Sequence, residues 1–198
     1  MPYMPAKREY RAIEVTNFKP VESDGDSYVV EGYATTFDDP YALYGDYKET
    51  IDRHALDDAD MTDVIFQFDH AGTPMARIRN NTLSIFADDH GLLVHADLGG
   101  CQRGRELHEA ISNGLVDRMS WGFTIAEDGW EYDRATRTST ITRVDKIYDV
   151  SAVSFPANEG TEIKARSYLD GVIEAERQEL SQCQAGERER LALALQTL

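Results

Sequence analysis

The sequence predicts an α+β fold: a small, mostly antiparallel β-barrel with peripheral helices, followed by a helical C-terminal tail. Three observations carry the prediction. About seven short segments rich in β-branched and aromatic residues are separated by Gly, Pro, Asn and Asp turn signals. One internal segment has helix formers with helical spacing, and from about Arg166 to Leu198 the apolar residues Leu169, Val172, Ile173, Leu180 and Cys183 recur with that same spacing. Many short strands with few long helices favour a barrel or sandwich over alternating β–α units.

Each element follows from its local pattern. The N-terminal MPYMPAKREYRAIEV has basic residues but no apolar run behind them, so neither a secretion signal nor a membrane span of ~18 apolar residues is expected. Tyr28 to Thr36, after the turn-forming SDGDS, reads as a strand leaving a hairpin. DDPYALYGDYKETI reads as a loop with Pro40 and Gly45, and RHALDDADM as a short helix capped by Asp52. VIFQFDH alternates, which places His70 at a strand end on the face of Val64, Phe66 and Phe68. AGTP is expected to be a loop.

TLSIFADD and LLVHADL read as a strand pair turning at Gly91. RGRELHEAISNG is the internal helix, with Gly114 placed as its C-terminal cap. SWGFTI, TSTITRV and KIYDVSAVSF are the last strands, closed by Pro156. The 198 residues suit one main domain, taken as 1–165, with 166–198 as the helical tail.

A formal charge of -16 repels phosphate backbones and anionic lipid, which argues against direct nucleic-acid or membrane binding. Ten acidic residues between Asp38 and Asp69 face only Lys48 and Arg53 in that stretch and suggest a solvated surface. Cys101 and Cys183 have no paired spacing, so a reducing interior is expected and neither a disulfide framework nor a zinc ribbon. No metal or cofactor is expected, since His90 and His95 point to opposite strand faces.

The chemistry centres on GLVDRMSWGFTI. Its pleat puts Ser120, Gly122 and Thr124 on one face, expected to be small and open, and Trp121, Phe123 and Ile125 on the other, expected to be core. A Gly two residues beyond a Ser leaves room for another backbone to approach. A serine hydroxyl becomes a nucleophile only when a base takes its proton and a third group orients that base. Of five histidines, His90 falls in a turn, His108 on a charged helix, His54 in an acidic segment and His95 beside Leu93 and Asp97, whereas His70 ends an apolar strand. Asp149, on a strand face with Ile147, Ser151 and Val153, is an acid that needs a partner if buried. Cys101, ahead of a helix and near Arg103 and Arg105, is an alternative nucleophile.

The segments EGYATTF, LYGDYKETI, RHALDDA, FDHAGTPMARI, DDHGLLVHADL, ELHEAISNGLVDRMSWGF and YDVSAVSFPAN, in that order over about Tyr28 to Ala165, resemble the prohead proteases of tailed bacteriophages. The resemblance implies a serine endopeptidase, similar in fold to herpesvirus assemblin, that works inside the immature capsid in the host cytoplasm and is not secreted. Its implied partners are the major capsid protein or its scaffold segment as substrate, itself by autoprocessing, and further copies as a homo-oligomer. Ser120 matches the nucleophile, His70 the general base and Asp149 the third position, where the family commonly has Glu. Trp121 and Gly122 are expected near the substrate, and Asn158 and Arg166, both in PANEGTEIKAR, near the oxyanion. His54 and Ala76 depart from the usual residues. Substrate is expected to lie extended, as an added strand beside the nucleophile. A protease-like assembly factor without activity is the competing reading, motivated by Asp149.

Overall fold

The structure, a computed structural model, describes residues 8–13, 18–21, 27–154, 174 and 178. In chain order the strands are β1 (Glu9–Ile13), β2 (Lys19–Pro20), β3 (Val29–Thr36), β4 (Tyr41–Tyr44), β5 (Tyr47–Ile51), β6 (Ile65–Phe68), β7 (Ala71–Arg77), β8 (Leu83–Ala87) and β9 (Gly91–Asp97). The helix α1 (Gln102–Ser112) follows, then β10 (Arg118–Ile125), β11 (Trp130–Asp133), β12 (Thr138–Ile141) and β13 (Val144–Val153). Among the described residues from 8 to 154 the molecule is thus mostly β, with a single α-helix. No helix among the described residues is long and apolar enough to cross a membrane.

The strands form three sheets, ordered β1-β10-β13-β6-β7, β11-β12-β5-β4 and β2-β3-β9-β8. Pairing is antiparallel except for β12 with β5 and β13 with β6. Among the described residues no sheet closes on itself, so the expected barrel is replaced by three open sheets around one core. Gly32 on β3 shows how tightly they meet: a Cβ there would stand 2.9 Å from Phe18 Cδ2 and 3.2 Å from Met119 Sδ. Phe66, Trp121, Phe123, Ile147 and Val150 are fully buried in that core, and each such side chain contributes about 1.5–3 kcal/mol by leaving water.

Several local expectations change. Residues 53–58 form turns rather than a helix, because Ala55 N–H donates to Asp52 O at 2.9 Å and Asp57 N–H to His54 O at 3.2 Å, and no longer-range helical bond follows. YALY and YKETI, read as loop, pair as β4 and β5, and AGTP opens the strand β7. The acidic stretch is not simply a solvated face: Asp63 pairs with Arg77 and Arg79, and a hydrogen bond from Lys146 holds the Asp60 carboxyl below the usual carboxylate range. The partners come from β7, the turn behind it and β13, which no local charge count reveals.

The internal helix is as patterned. Cys101 Sγ accepts from Gly104 N–H at 3.4 Å at its start, while Gly114 has φ 68° and Leu115 N–H bonds Ala110 O at its end. That 6→1 bond with a left-handed Gly closes a Schellman motif. The tail expected over 166–198 lies outside the described residues except for Glu174 and Gln178.

Candidate active site

Four elements converge on one point. On β10, Ser120 stands opposite Ser151 and Gly122 opposite Asp149 of β13, so these residues share one face of the sheet. The register slips by one residue between Gly122 and Phe123, leaving Tyr148 without an opposite number. This bulge re-aims the neighbouring Asp149. Asp149 is 1% exposed and Ser151 fully buried.

His70 arrives from the β6–β7 hairpin. Phe68 pairs with Ala71, so the loop is only Asp69 and His70, with φ 49° and 54°. Two positive φ values in a two-residue loop match the twist of the flanking strands, and non-glycine residues accept that backbone only at some cost. Asp69 secures the turn: its N–H donates to Ala152 O at 2.9 Å, and its Oδ1 accepts from Ser154 N–H at 3.0 Å. The histidine therefore sits in a turn, not at a strand end as its alternation suggested, and its side chain reaches back across β13.

There His70 Nε2 lies 2.6 Å from Ser120 Oγ, and Nδ1 is hydrogen-bonded to Asp149 Oδ2. Ser151 Oγ donates to Asp149 Oδ2 at 3.1 Å and lies 3.2 Å from His70 Nδ1. The other carboxylate oxygen, Asp149 Oδ1, forms an ion pair with Arg8 Nη2 at 2.9 Å without an aligned hydrogen bond. Arg8 in turn lies 4.3 Å from the Tyr148 ring centroid. Tyr10 packs edge-on against His70 at 4.4 Å between centroids. Ser120 Oγ has a second polar neighbour, the Arg11 carbonyl at 2.8 Å.

This chain of contacts can carry proton transfer. With its proton on Nδ1, toward Asp149, the imidazole presents a lone pair at Nε2 to the serine hydroxyl. With a proton on Nε2, the hydroxyl turns its own hydrogen to the Arg11 carbonyl instead, because it has only one to give.

Two expected neighbours of the substrate have other places. Trp121 is fully buried and stacked on Phe123 at 3.8 Å, on the face opposite Ser120, so it is a core residue. A Cβ on Gly122 would stand 2.5 Å from Asp149 Oδ1 and 2.8 Å from Tyr10 Cε1. The missing side chain is thus the space into which the carboxylate folds, rather than room for a substrate backbone. The face holding Ser120 and Thr124 is not open either, since both are buried. Asn158 and Arg166 lie outside the described residues.

β10 has β1 on one edge and β13 on the other, so no substrate strand can add directly beside the nucleophile strand while β1 is in place. The remaining histidines are engaged elsewhere: His54 with Asp57, His95 with Glu31, His90 edge-on to Tyr33 and His108 edge-on to Tyr28. Cys101 is the N-cap of α1. Arg8, Tyr10 and the Arg11 carbonyl were not expected; the alternation of REYRAI is the signal that could have marked β1, but no motif points at a backbone carbonyl.

A family model described as caudovirus prohead serine protease matches residues 14–172. The chain belongs to that family. It is 28% identical over 155 residues to a prohead protease of Enterobacteria phage HK97, an alignment that covers 75% of this chain and 64% of that protein. No solved structure matches.

Proposed function

We propose that this prohead protease family member is a serine endopeptidase that cuts scaffold, or the scaffolding segment of the major capsid protein, and itself inside the phage prohead in the host cytoplasm. The observation that carries the reading is the continuous contact chain Ser120–His70–Asp149. His70 Nε2 takes the hydroxyl proton as Ser120 Oγ attacks the scissile carbonyl, and the imidazolium then passes that proton to the leaving amine. Water repeats the sequence on the acyl-enzyme: His70 takes one of its protons, the acid product leaves, and Ser120 regains its hydroxyl. Asp149 keeps the imidazole oriented and stabilises its charged form. Oxyanion donors are assigned to the segment that follows β13 in the sequence, with Asn158 and Arg166 as candidates. Residues 1–165 form the protease unit in this reading and 166–198 a segment for scaffold docking or self-association.

The inactive-factor reading rested on Asp149 being one methylene shorter than the usual Glu. The bulge at Tyr148 and the space at Gly122 offset that difference, and Asp149 reaches His70. Ser120→Ala and His70→Ala are each expected to reduce cleavage of co-expressed capsid protein, and self-cleavage, by roughly ten-thousand-fold or more, with unchanged circular dichroism. Wild-type processing by folded Ser120→Ala would sink the proposal.

Gly122→Ala tests the carboxylate's seat. The new methyl has no space beside Asp149 and Tyr10, so the carboxylate must move off His70. We expect cleavage to fall by about a hundred-fold, as for displacements of about 1 Å at a catalytic group, and stability by about 1–3 kcal/mol from overpacking. Peptide cleavage together with thermal denaturation reads both effects; an unchanged rate would show that Asp149 does not depend on this gap.

A further inference from the structure

Arg8 stands beside the Ser120–His70–Asp149 chain without belonging to it. It directly precedes β1, outside the residues 14–172 that match the family model. Its Nη2 lies 2.9 Å from Asp149 Oδ1. That oxygen is buried and, among the described residues, accepts no hydrogen bond. The other oxygen, Oδ2, is taken by His70 Nδ1 and Ser151 Oγ. A charged oxygen buried without a counter-charge is costly, and Arg8 supplies that charge.

The bulge in β13 builds the seat for the guanidinium. Arg8 lies 4.3 Å from the ring centroid of Tyr148, the bulged residue, and 5.6 Å from that of Tyr10 on β1. Asp149 thus offers it a negative charge and Tyr148 an aromatic face, and a guanidinium is attracted to both. The other charged groups on the surrounding elements have partners. Lys146 of β13 is bonded to Asp60, Arg77 of β7 to Asp63, and Asp69 of the His70 turn to Ser154. Arg118 of β10 has its Nε 3.7 Å from Asp117, and Glu9 and Arg11 of β1 are held with Glu49. Tyr10 packs edge-on against the imidazole.

Resting on the serine protease reading above, we propose that Arg8 is a positioning residue of that site: it holds Asp149 Oδ1 so that Oδ2 stays turned to His70, and its charge opposes uptake of a proton by the His70–Asp149 pair. Both effects act through Asp149. A cation beside the pair disfavours an added proton whether it settles on the imidazole or on the carboxylate. Without Arg8 the pair takes up that proton at higher pH, which removes either the free base or the group that orients it.

The test follows peptide cleavage, and labelling of Ser120 by a small fluorophosphonate, as a function of pH in the full chain. Arg8→Gln removes the charge and keeps a long polar side chain; Arg8→Lys keeps the charge. Arg8→Gln is expected to move the acid-side midpoint of the kcat/KM profile up by about one pH unit, the low end for a neighbouring opposite charge because Arg8 is partly exposed. It should also lower kcat by about ten-fold while KM stays within about three-fold. Arg8→Ala, a second neutral variant, should move the midpoint equally. Arg8→Lys should bring it back to within about half a unit of the unaltered protein. A merely structural role would reduce the amount of folded enzyme, read by circular dichroism, and leave the midpoint in place. A midpoint unmoved by both neutral variants, or moved as far by Arg8→Lys as by Arg8→Gln, would overturn the role of Arg8 and leave the protease reading intact. Failure of the unaltered protein to label at Ser120 would overturn both.

Discussion

Asp149→Asn is expected to lower kcat/KM for peptide cleavage by about ten-thousand-fold while leaving the fold intact. The carboxylate accepts from His70 Nδ1 and from Ser151 Oγ at the same oxygen, Oδ2. An asparagine can offer an oxygen to only one set of donors, and its amide group turned toward Nδ1 forces the proton onto Nε2. The base then presents a donor to Ser120, and the hydroxyl is left with the Arg11 carbonyl as its acceptor. Arg8 loses its charge partner as well, but it is 38% exposed and can be rehydrated. Fluorophosphonate labelling rates and peptide kinetics, with circular dichroism as control, measure the effect. A loss smaller than ten-fold would remove Asp149 from the orienting role.

The second large effect concerns stability. Arg11 is buried, and its guanidinium bonds Glu49 through Nε and, at 3.0 Å, through Nη2 to Oε2, with Glu9 Oε2 at 3.3 Å. Burial works against the Arg11 charge, yet Glu49 outweighs it and raises the group above its ordinary value. Burial first, then the Glu49 charge, raises the Tyr41 phenol well above its own, so it stays a donor to Glu49. Glu49→Ala leaves a buried cation with an incomplete set of acceptors, a change that costs about 3–5 kcal/mol. For a domain of this size that corresponds to a fall in Tm on the order of 10 °C. Replacing both partners, Arg11→Met with Glu49→Leu, should recover part of the loss, because the buried cation is gone while the buried Glu9 gives up its contact with Arg11. A Glu49→Ala protein that melts with the wild type would mean the pair contributes nothing.

The outline of the candidate site was legible because its chemistry follows strand parity. Ser120 and Gly122 share a face, as do Asp149 and Ser151, and parity is readable without knowing the partner strand. What parity cannot show is a register slip: the bulge at Tyr148 depends on how β13 meets β10. Nor could it show that the run ending in His70 stops at Phe68 and turns through two left-handed residues, since Asp-His is not a strong turn pair and the apolar alternation continues through it. Trp121 was drawn toward the substrate by adjacency to Ser120, although the same alternation places it in the core. The β1 contribution was hidden for another reason: nothing local marks Glu9 and Arg11 as buried, because Glu49, the partner of Arg11, lies 38 residues away. The expected barrel failed at the same level, because the number of sheets depends on which strands pair.

The candidate site draws on residues far apart in the chain. Ser120 and the Arg11 carbonyl lie 109 positions apart, His70 and Asp149 lie 79 apart, and His70 and Ser120 lie 50 apart. Contacts of such separation form late, since each closes a long loop before any gain is returned. A chain still emerging from the ribosome can hold the β6–β7 hairpin and even β10, and so possess both serine and histidine, without the strand that orients them. β13 is the last described strand to be made, and it carries Asp149, Ser151 and the anchor for the His70 turn. In the proposed reading, proteolytic competence is thereby tied to completion of the fold, and a product truncated before β13 is expected to be inert.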